Sequence, residues 1–171
     1  MPNRREAAPV LGVDIGGVLI QRAAEDSDTS FFGDRPMETP AVEGAVAALA
    51  ELARGPFGYR VHLVSKAGTQ TAERTRAWLE HTGFTAATGI GPAQIHFVRH
   101  RKDKAPVCKR LGVTHFVDDR LSVLNLLPDV AHRYLFTGGL GPYEPPRERE
   151  LPDGILLATT WRELLELLRR E

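Results

Sequence analysis

The chain has a single cysteine, Cys108, among 171 residues, so an internal disulfide is excluded. No stretch reaches the roughly 18 apolar residues that a membrane-crossing helix needs. Lys plus Arg and Asp plus Glu stand at 22 each, so the formal net charge is zero. Proteins held to nucleic acid mainly through phosphates carry a basic excess. General nucleic-acid binding is therefore not expected, although a local basic patch is still allowed. Met1 to Pro9 is polar and lacks the apolar run of a secretory signal. There is no internal repeat and no low-complexity tract. These absences lead to the expectation of a soluble protein of a reducing cytoplasm with no membrane partner.

What is present is ordinary globular composition, 42% hydrophobic and 26% charged, over a length that suits one core and one domain spanning residues 1–171. Residues 10–15 read as a short buried strand closed by Gly16-Gly17. A polar stretch, 21–40, follows. Thr39-Pro40 reads as a helix start, with Pro at the first helical position, and Ala41–Arg54 as an Ala/Leu-rich helix stopped by Gly55. Tyr59–Ser65 alternates as a strand does. Thr69 or Thr71 caps a helix to about Thr82, and Gly83 ends it.

Gln94–Val98 is a third strand, Lys104–Leu111 a short helix ended by Gly112, and Thr114–Val117 a fourth strand. Arg120–Leu127 reads as helical and Arg133–Phe136 as a fifth strand. Gly138–Pro152 is a loop and Ile155–Leu157 a last strand. Thr160 and Glu163 form a capping box for a terminal helix. Strands alternating with helices predict an α/β fold, a three-layer Rossmann-like arrangement with a central parallel sheet and helices on both faces.

In such sheets ligands bind beyond the carboxyl ends of the strands. Asp14, Ser65 and Asp118-Asp119 all fall at predicted strand ends, and Lys104 opens a helix. Few sites need two acids, a lysine and a hydroxyl at strand tips except to hold a cation and an anionic group together. Each residue alone also has a plainer role. Asp14 can cap the turn before Gly16-Gly17, Ser65 can cap a strand end, and Asp118-Asp119 can start a helix. Lys66 and Lys102 compete with Lys104.

The order V-D-I-G-G-V (13–18), L-V-S (63–65), Lys104 and F-V-D-D-R (116–120) resembles the four motifs of the haloacid dehalogenase superfamily over roughly residues 10–136. The D-D-R form resembles that of the small cytosolic deoxyribonucleotidases. The resemblance implies a phosphohydrolase in which Asp14 attacks phosphorus and forms an aspartyl-phosphate. It implies Mg²⁺ held by the Asp14 carboxylate, the Gly16 carbonyl and Asp119, with Asp118 supporting or sharing the ligation. Ser65 and the backbone after it, with Lys66, would bind phosphoryl oxygens, and Lys104 would neutralise the phosphate charge. The partner would be a phosphorylated small molecule or a macromolecular phosphate.

One departure matters. The family's phosphatases carry a second acid two residues after the nucleophile, and this chain has Gly16 there. General acid–base help is worth about 10²–10⁴-fold in rate. Three readings follow: a slow or specialised phosphatase, replacement by an acid of the 21–40 segment (Asp26, Asp28 or Asp34), or a catalytically inactive module that binds phosphate or regulates. Other hydrolytic chemistry is a fourth, because family members that cleave carbon–halogen or carbon–phosphorus bonds also lack this acid.

The spacing leaves room at 21–40 for a flap but not for a full cap domain. Phe31-Phe32 would anchor that flap or contact a ligand ring. Arg99-His100-Arg101-Lys102 reads as a solvated loop or as a rim that steers phosphate. His96 and His100 lack a third ligand at zinc spacing. Cys108, Trp78 and Trp161 read as core.

Overall fold

The architecture follows from six short strands, of which the central ones are buried and need helices over both faces. In the computed structural model, which describes residues 7–22, 32, 35–139 and 147–170, the strands are β1 (Leu11–Val13), β2 (Val61–Lys66), β3 (Ile95–Val98), β4 (His115–Asp118), β5 (His132–Phe136) and β6 (Ile155–Ala158). They form one sheet in the order β3-β2-β1-β4-β5-β6, and every pair is parallel. The expected α/β, Rossmann-like class is therefore the observed one.

Alternation along the strands sorts side chains into two cores. Leu11, Val13, Val61, Leu63, Val117, Tyr134 and Phe136 face a cluster that holds residues of α1 (Ala45–Arg54), α2 (Thr69–His81), α3 (Phe84–Thr88) and α6 (Trp161–Arg169). Val64, Phe116, Leu135 and Ile155 face the opposite cluster with Cys108 of α4 (Lys104–Leu111) and Val123 and Leu124 of α5 (Leu121–Leu124). Side chains such as Leu164 and Leu168 of α6 are fully buried, a burial worth about 1.5–3 kcal/mol each. Gly12 has no side chain because Phe116 fills its place: a Cβ there would lie 2.6 Å from the Phe116 ring.

Trp78 and Trp161 are core residues, as expected. Their indole N–H groups donate to the Thr39 carbonyl at 2.7 Å and the Val18 carbonyl at 2.8 Å. Cys108 is buried, and that burial pushes its thiol up to about 12, so it is inert packing.

Several boundaries differ from the sequence reading. The first helix begins at Ala45, not at Pro40. The Pro40 carbonyl accepts from Gln21, Val42 N–H donates to the Leu19 carbonyl, and Ala41 bridges Ile20. The chain is thus held extended beside residues 19–21 until Gly44, at φ 79°, turns it into the helix. The first strand stops at Val13, because residues 15–20 fold into a turn. Helix 120–127 shrinks to Leu121–Leu124, with single turns continuing to Leu127 before Pro128.

The α3 helix was not expected. Gly83 and Gly89, both at positive φ, bracket it. The terminal cap is half as foreseen. Thr160 Oγ1 accepts from Glu163 N–H, but the Glu163 carboxylate accepts from Thr159 N–H and Oγ1.

Of the 21–40 flap, the described part contains a single 3₁₀ turn, Pro36–Glu38, and Phe32 packed into the core. Phe31, Asp26, Asp28 and Asp34 lie outside the described residues. Among the described residues no helix is long and apolar enough to cross a membrane.

Candidate active site

The sheet order places β1 beside β4, and the chain leaves β1 toward β2 and β3 before returning to β4. At such a reversal the connections after the two strands diverge and leave a crevice. Asp14 follows β1, Asp118 ends β4 and Asp119 follows it, so three carboxylates open into that crevice. Carboxylate oxygens of the three lie within 4.8 Å of one another, and none of the three residues is more than 7% exposed.

Lys104, the first residue of α4, comes up from the face below and is itself 2% exposed. Its Nζ lies 3.1 Å from Asp14 Oδ1 and 2.8 Å from Asp118 Oδ2. The Phe116 ring sits 5.6 Å from the ammonium, so the Gly12–Phe116 contact supports the lysine. Burial alone would lower the Lys104 pKa, but the Asp118 and Asp14 carboxylates more than reverse this and hold it above the usual lysine range. The sequence left Lys66, Lys102 and Lys104 in competition. The structure brings Lys104 into the cluster and leaves Lys102 exposed.

Asp118 uses both of its oxygens within the protein. Oδ2 takes Lys104, and Oδ1 accepts the Arg120 backbone N–H at 2.9 Å, which closes the turn after β4. Asp119 is different. Its Oδ2 pairs with Arg22 Nε at 2.8 Å, while its Oδ1 is buried without a hydrogen-bond partner. Burial and the Asp14 carboxylate push Asp118 above the usual carboxylate range, against the pull of Lys104. The same two causes raise Asp119 against the pull of Arg22. The protein's own cations therefore leave the cluster short of positive charge. Hard oxygen donors, one of them orphaned, suit a hard divalent cation such as Mg²⁺.

The turn after β1 is tightly made. The Ile15 carbonyl accepts from Val18, Leu19 and Ile20, and Gly17 N–H donates to the Ile20 carbonyl. Gly16 sits in this turn two residues past Asp14. Gly17 is required on two counts. Its φ is +79°, and a Cβ there would lie 2.2 Å from Asp119 Oδ2. Gly139, after β5, presses on the same turn: a Cβ on it would lie 2.1 Å from the Gly17 carbonyl oxygen.

Ser65 is buried near the carboxyl end of β2, the neighbour of β1. Lys66 follows it and lines an open cleft of about 620 Å³ with Gly68, Thr69, Thr71, Arg99 and His100. Arg99 reaches across to Thr69 Oγ1 at 2.8 Å. The 99–102 run thus borders the carboxyl edge of the sheet, on the side away from β4. His96 bonds His62 at 3.1 Å. Among the described residues the three aspartates are the one group with enough potential ligands for a metal site.

Arg22 is the site residue that sequence reasoning missed. It lies 97 positions from Asp119, in a polar stretch with no periodicity to mark one residue above another. Only the adjacent Gly16-Gly17 pair hinted that something must approach this turn closely.

No family model matches the sequence, and no curated protein matches it. Solved structures do. D,D-heptose 1,7-bisphosphate phosphatase from Burkholderia thailandensis superposes with a TM-score of 0.56 at 16% identity, over 95% of this chain and 99% of that one. A protein described as a haloacid dehalogenase-like hydrolase from Burkholderia xenovorans LB400 gives 0.55 at 17% identity, over 80% of this chain and 62% of that one. With the sheet order, the strand-tip aspartates and these likenesses together, the chain has the fold of the haloacid dehalogenase-like hydrolases.

Proposed function

We propose that this chain is a Mg²⁺-dependent phosphate-ester hydrolase that works through an aspartyl-phosphate on Asp14. The observation that carries the reading is the buried Lys104 ammonium bonded at once to Asp14 and Asp118 at the sheet's crevice. A carboxylate attacking a dianionic phosphate must overcome like-charge repulsion, and fixed cations beside the nucleophile offset it. Asp14, Asp119 and the Gly16 carbonyl would hold the metal, with Asp118 in support. When bound, the ion would supply Lewis-acid stabilisation of the phosphoryl oxygens.

The chain's own residues then divide the work. An Asp14 oxygen forms a bond to phosphorus as the ester P–O bond breaks, and the leaving oxygen takes its proton from water. A second water then attacks phosphorus as the bond from Asp14 to phosphorus breaks, and its proton neutralises the hydroxide that the first water left, which releases inorganic phosphate and restores Asp14. Lys104 fixes the Asp14 carboxylate and carries positive charge to the phosphoryl group. Ser65, Lys66 and the backbone after β2 are suited to receive the phosphoryl oxygens. Gly16 has no side chain to move a proton, so turnover favours esters with good leaving groups.

A phosphorylated small molecule or a macromolecular phosphate is the expected partner, and the cytoplasm the expected compartment. The second reading is a phosphate-binding or regulatory module without turnover, and the same missing acid at position 16 favours it.

An assay of an activated aryl phosphate with and without Mg²⁺, run beside Asp14→Asn, separates the two. The enzyme reading expects Mg²⁺-dependent release of phosphate by the wild type, none by Asp14→Asn, and a hydroxylamine-sensitive acyl phosphate on Asp14. Equal activity in both proteins removes Asp14 as nucleophile. Stabilisation by Mg²⁺ or phosphate with no turnover leaves the binding module.

A further inference from the structure

We infer that Arg22 is a tethered counter-cation of the aspartate cluster, and that its charge sets how weakly the cluster takes up a divalent ion. The pair it makes with Asp119 is 2.8 Å long, with side chains 11% and 0% exposed. It lies directly against backbone: a Cβ on Gly17 would meet Asp119 Oδ2 at 2.2 Å and Arg22 Nε at 2.9 Å. Only a glycine in the turn allows the guanidinium and the carboxylate to meet there.

Asp119 therefore has one oxygen held by a fixed cation and the other, Oδ1, buried without a partner. A divalent ion taken up by that oxygen would share a carboxylate with the guanidinium. Like charges so close, and shielded from water, repel strongly. Arg22 thus has two effects of one origin. It neutralises Asp119 while the cluster is metal-free, and it weakens the cluster's hold on the metal. This inference rests on the cation site proposed above.

Titration calorimetry with Mn²⁺ on wild type, Arg22→Gln and Arg22→Lys tests the idea. Gln keeps a donor for Asp119 Oδ2 but loses the charge, whereas Lys keeps the charge. Arg22→Gln should bind Mn²⁺ about tenfold tighter or better, and Arg22→Lys should stay within about threefold of wild type. Without metal, Arg22→Gln should melt below wild type, and its melting temperature should climb more steeply across a Mn²⁺ series. That steeper climb also serves as the readout if Arg22→Gln folds only with metal present.

Equal or weaker Mn²⁺ binding by Arg22→Gln, or a parallel climb, overturns the inference. So does tightening in the Lys variant to match the Gln variant. If no protein of the set binds Mn²⁺, both the cation site and the role of Arg22 fall. Aryl-phosphate turnover, measured separately, then decides whether Asp14 still acts.

Discussion

Lys104 offers the sharpest energetic test of the site. Replacing it with Met keeps the length and apolar stem but removes the ammonium from Asp14 and Asp118, at 3.1 and 2.8 Å in a pocket where the lysine is 2% exposed. Two buried carboxylates are then left without their shared cation, and breaking such a pair costs about 3–5 kcal/mol. That is a large part of the about 5–15 kcal/mol that holds a domain together. At about 2–4 °C per kcal/mol for a chain of this size, the melting temperature should fall by about 6–20 °C.

The cause can be isolated with a double-mutant cycle in metal-free buffer. Asp118→Asn added to Lys104→Met removes one orphaned charge, and its amide oxygen can still accept the Arg120 N–H. The double variant should recover about half of the loss or more. The reasoning is refuted if Lys104→Met melts within about 3 °C of wild type, or if the double variant is no more stable than the single one.

Two further outcomes follow from the packing. Gly17→Ala adds a methyl where Asp119 Oδ2 lies 2.2 Å away, at a φ of +79°. Backbone strain of about 1–2 kcal/mol adds to the displacement of the Arg22–Asp119 pair. Urea unfolding should show a loss of about 3 kcal/mol or more, whereas an unchanged midpoint would mean the turn is not held as described.

His115 stacks on His132 at 4.3 Å and is buried, which with the His132 charge holds it down from 6.5 to about 4. A depressed base stabilises the fold above its unfolded value and loses that stability as pH falls through the folded one. Stability should therefore drop between pH 6.5 and 4 by up to about 3 kcal/mol. His115→Phe should flatten that slope in pH-dependent melts, and an unchanged slope assigns it elsewhere.

The legible parts of this molecule are those where one residue type answers to one physical demand. Asp14, Ser65 and Asp118-Asp119 could be placed because buried apolar strands end abruptly in polar residues, and strand ends share an edge, whereas Lys104 was placed at the start of a helix. Helix α4 was legible to the residue, although its run holds Pro106, because Gly112 at positive φ closes it. The start of α1 was not. The pairing of Pro40 to Val42 with residues 19–21 is tertiary, and it overrides a local signal that would otherwise start a helix. Arg22 was hidden for a similar reason. A salt bridge between distant positions leaves no periodic trace, whereas the glycines that make room for it are only indirect signs.

The Trp161 indole bonds the Val18 carbonyl within the turn that follows Asp14, and Arg169 at the far end of α6 pairs with Glu51 of α1. A segment near the carboxyl terminus thus braces the loop on which the first aspartate depends. During synthesis, the ribosome makes Val18 early and its partner Trp161 143 residues later. Until that tryptophan clears the exit tunnel, the turn lacks its clamp. A nascent chain would thus carry the turn beyond Asp14 unbraced until Trp161 has emerged.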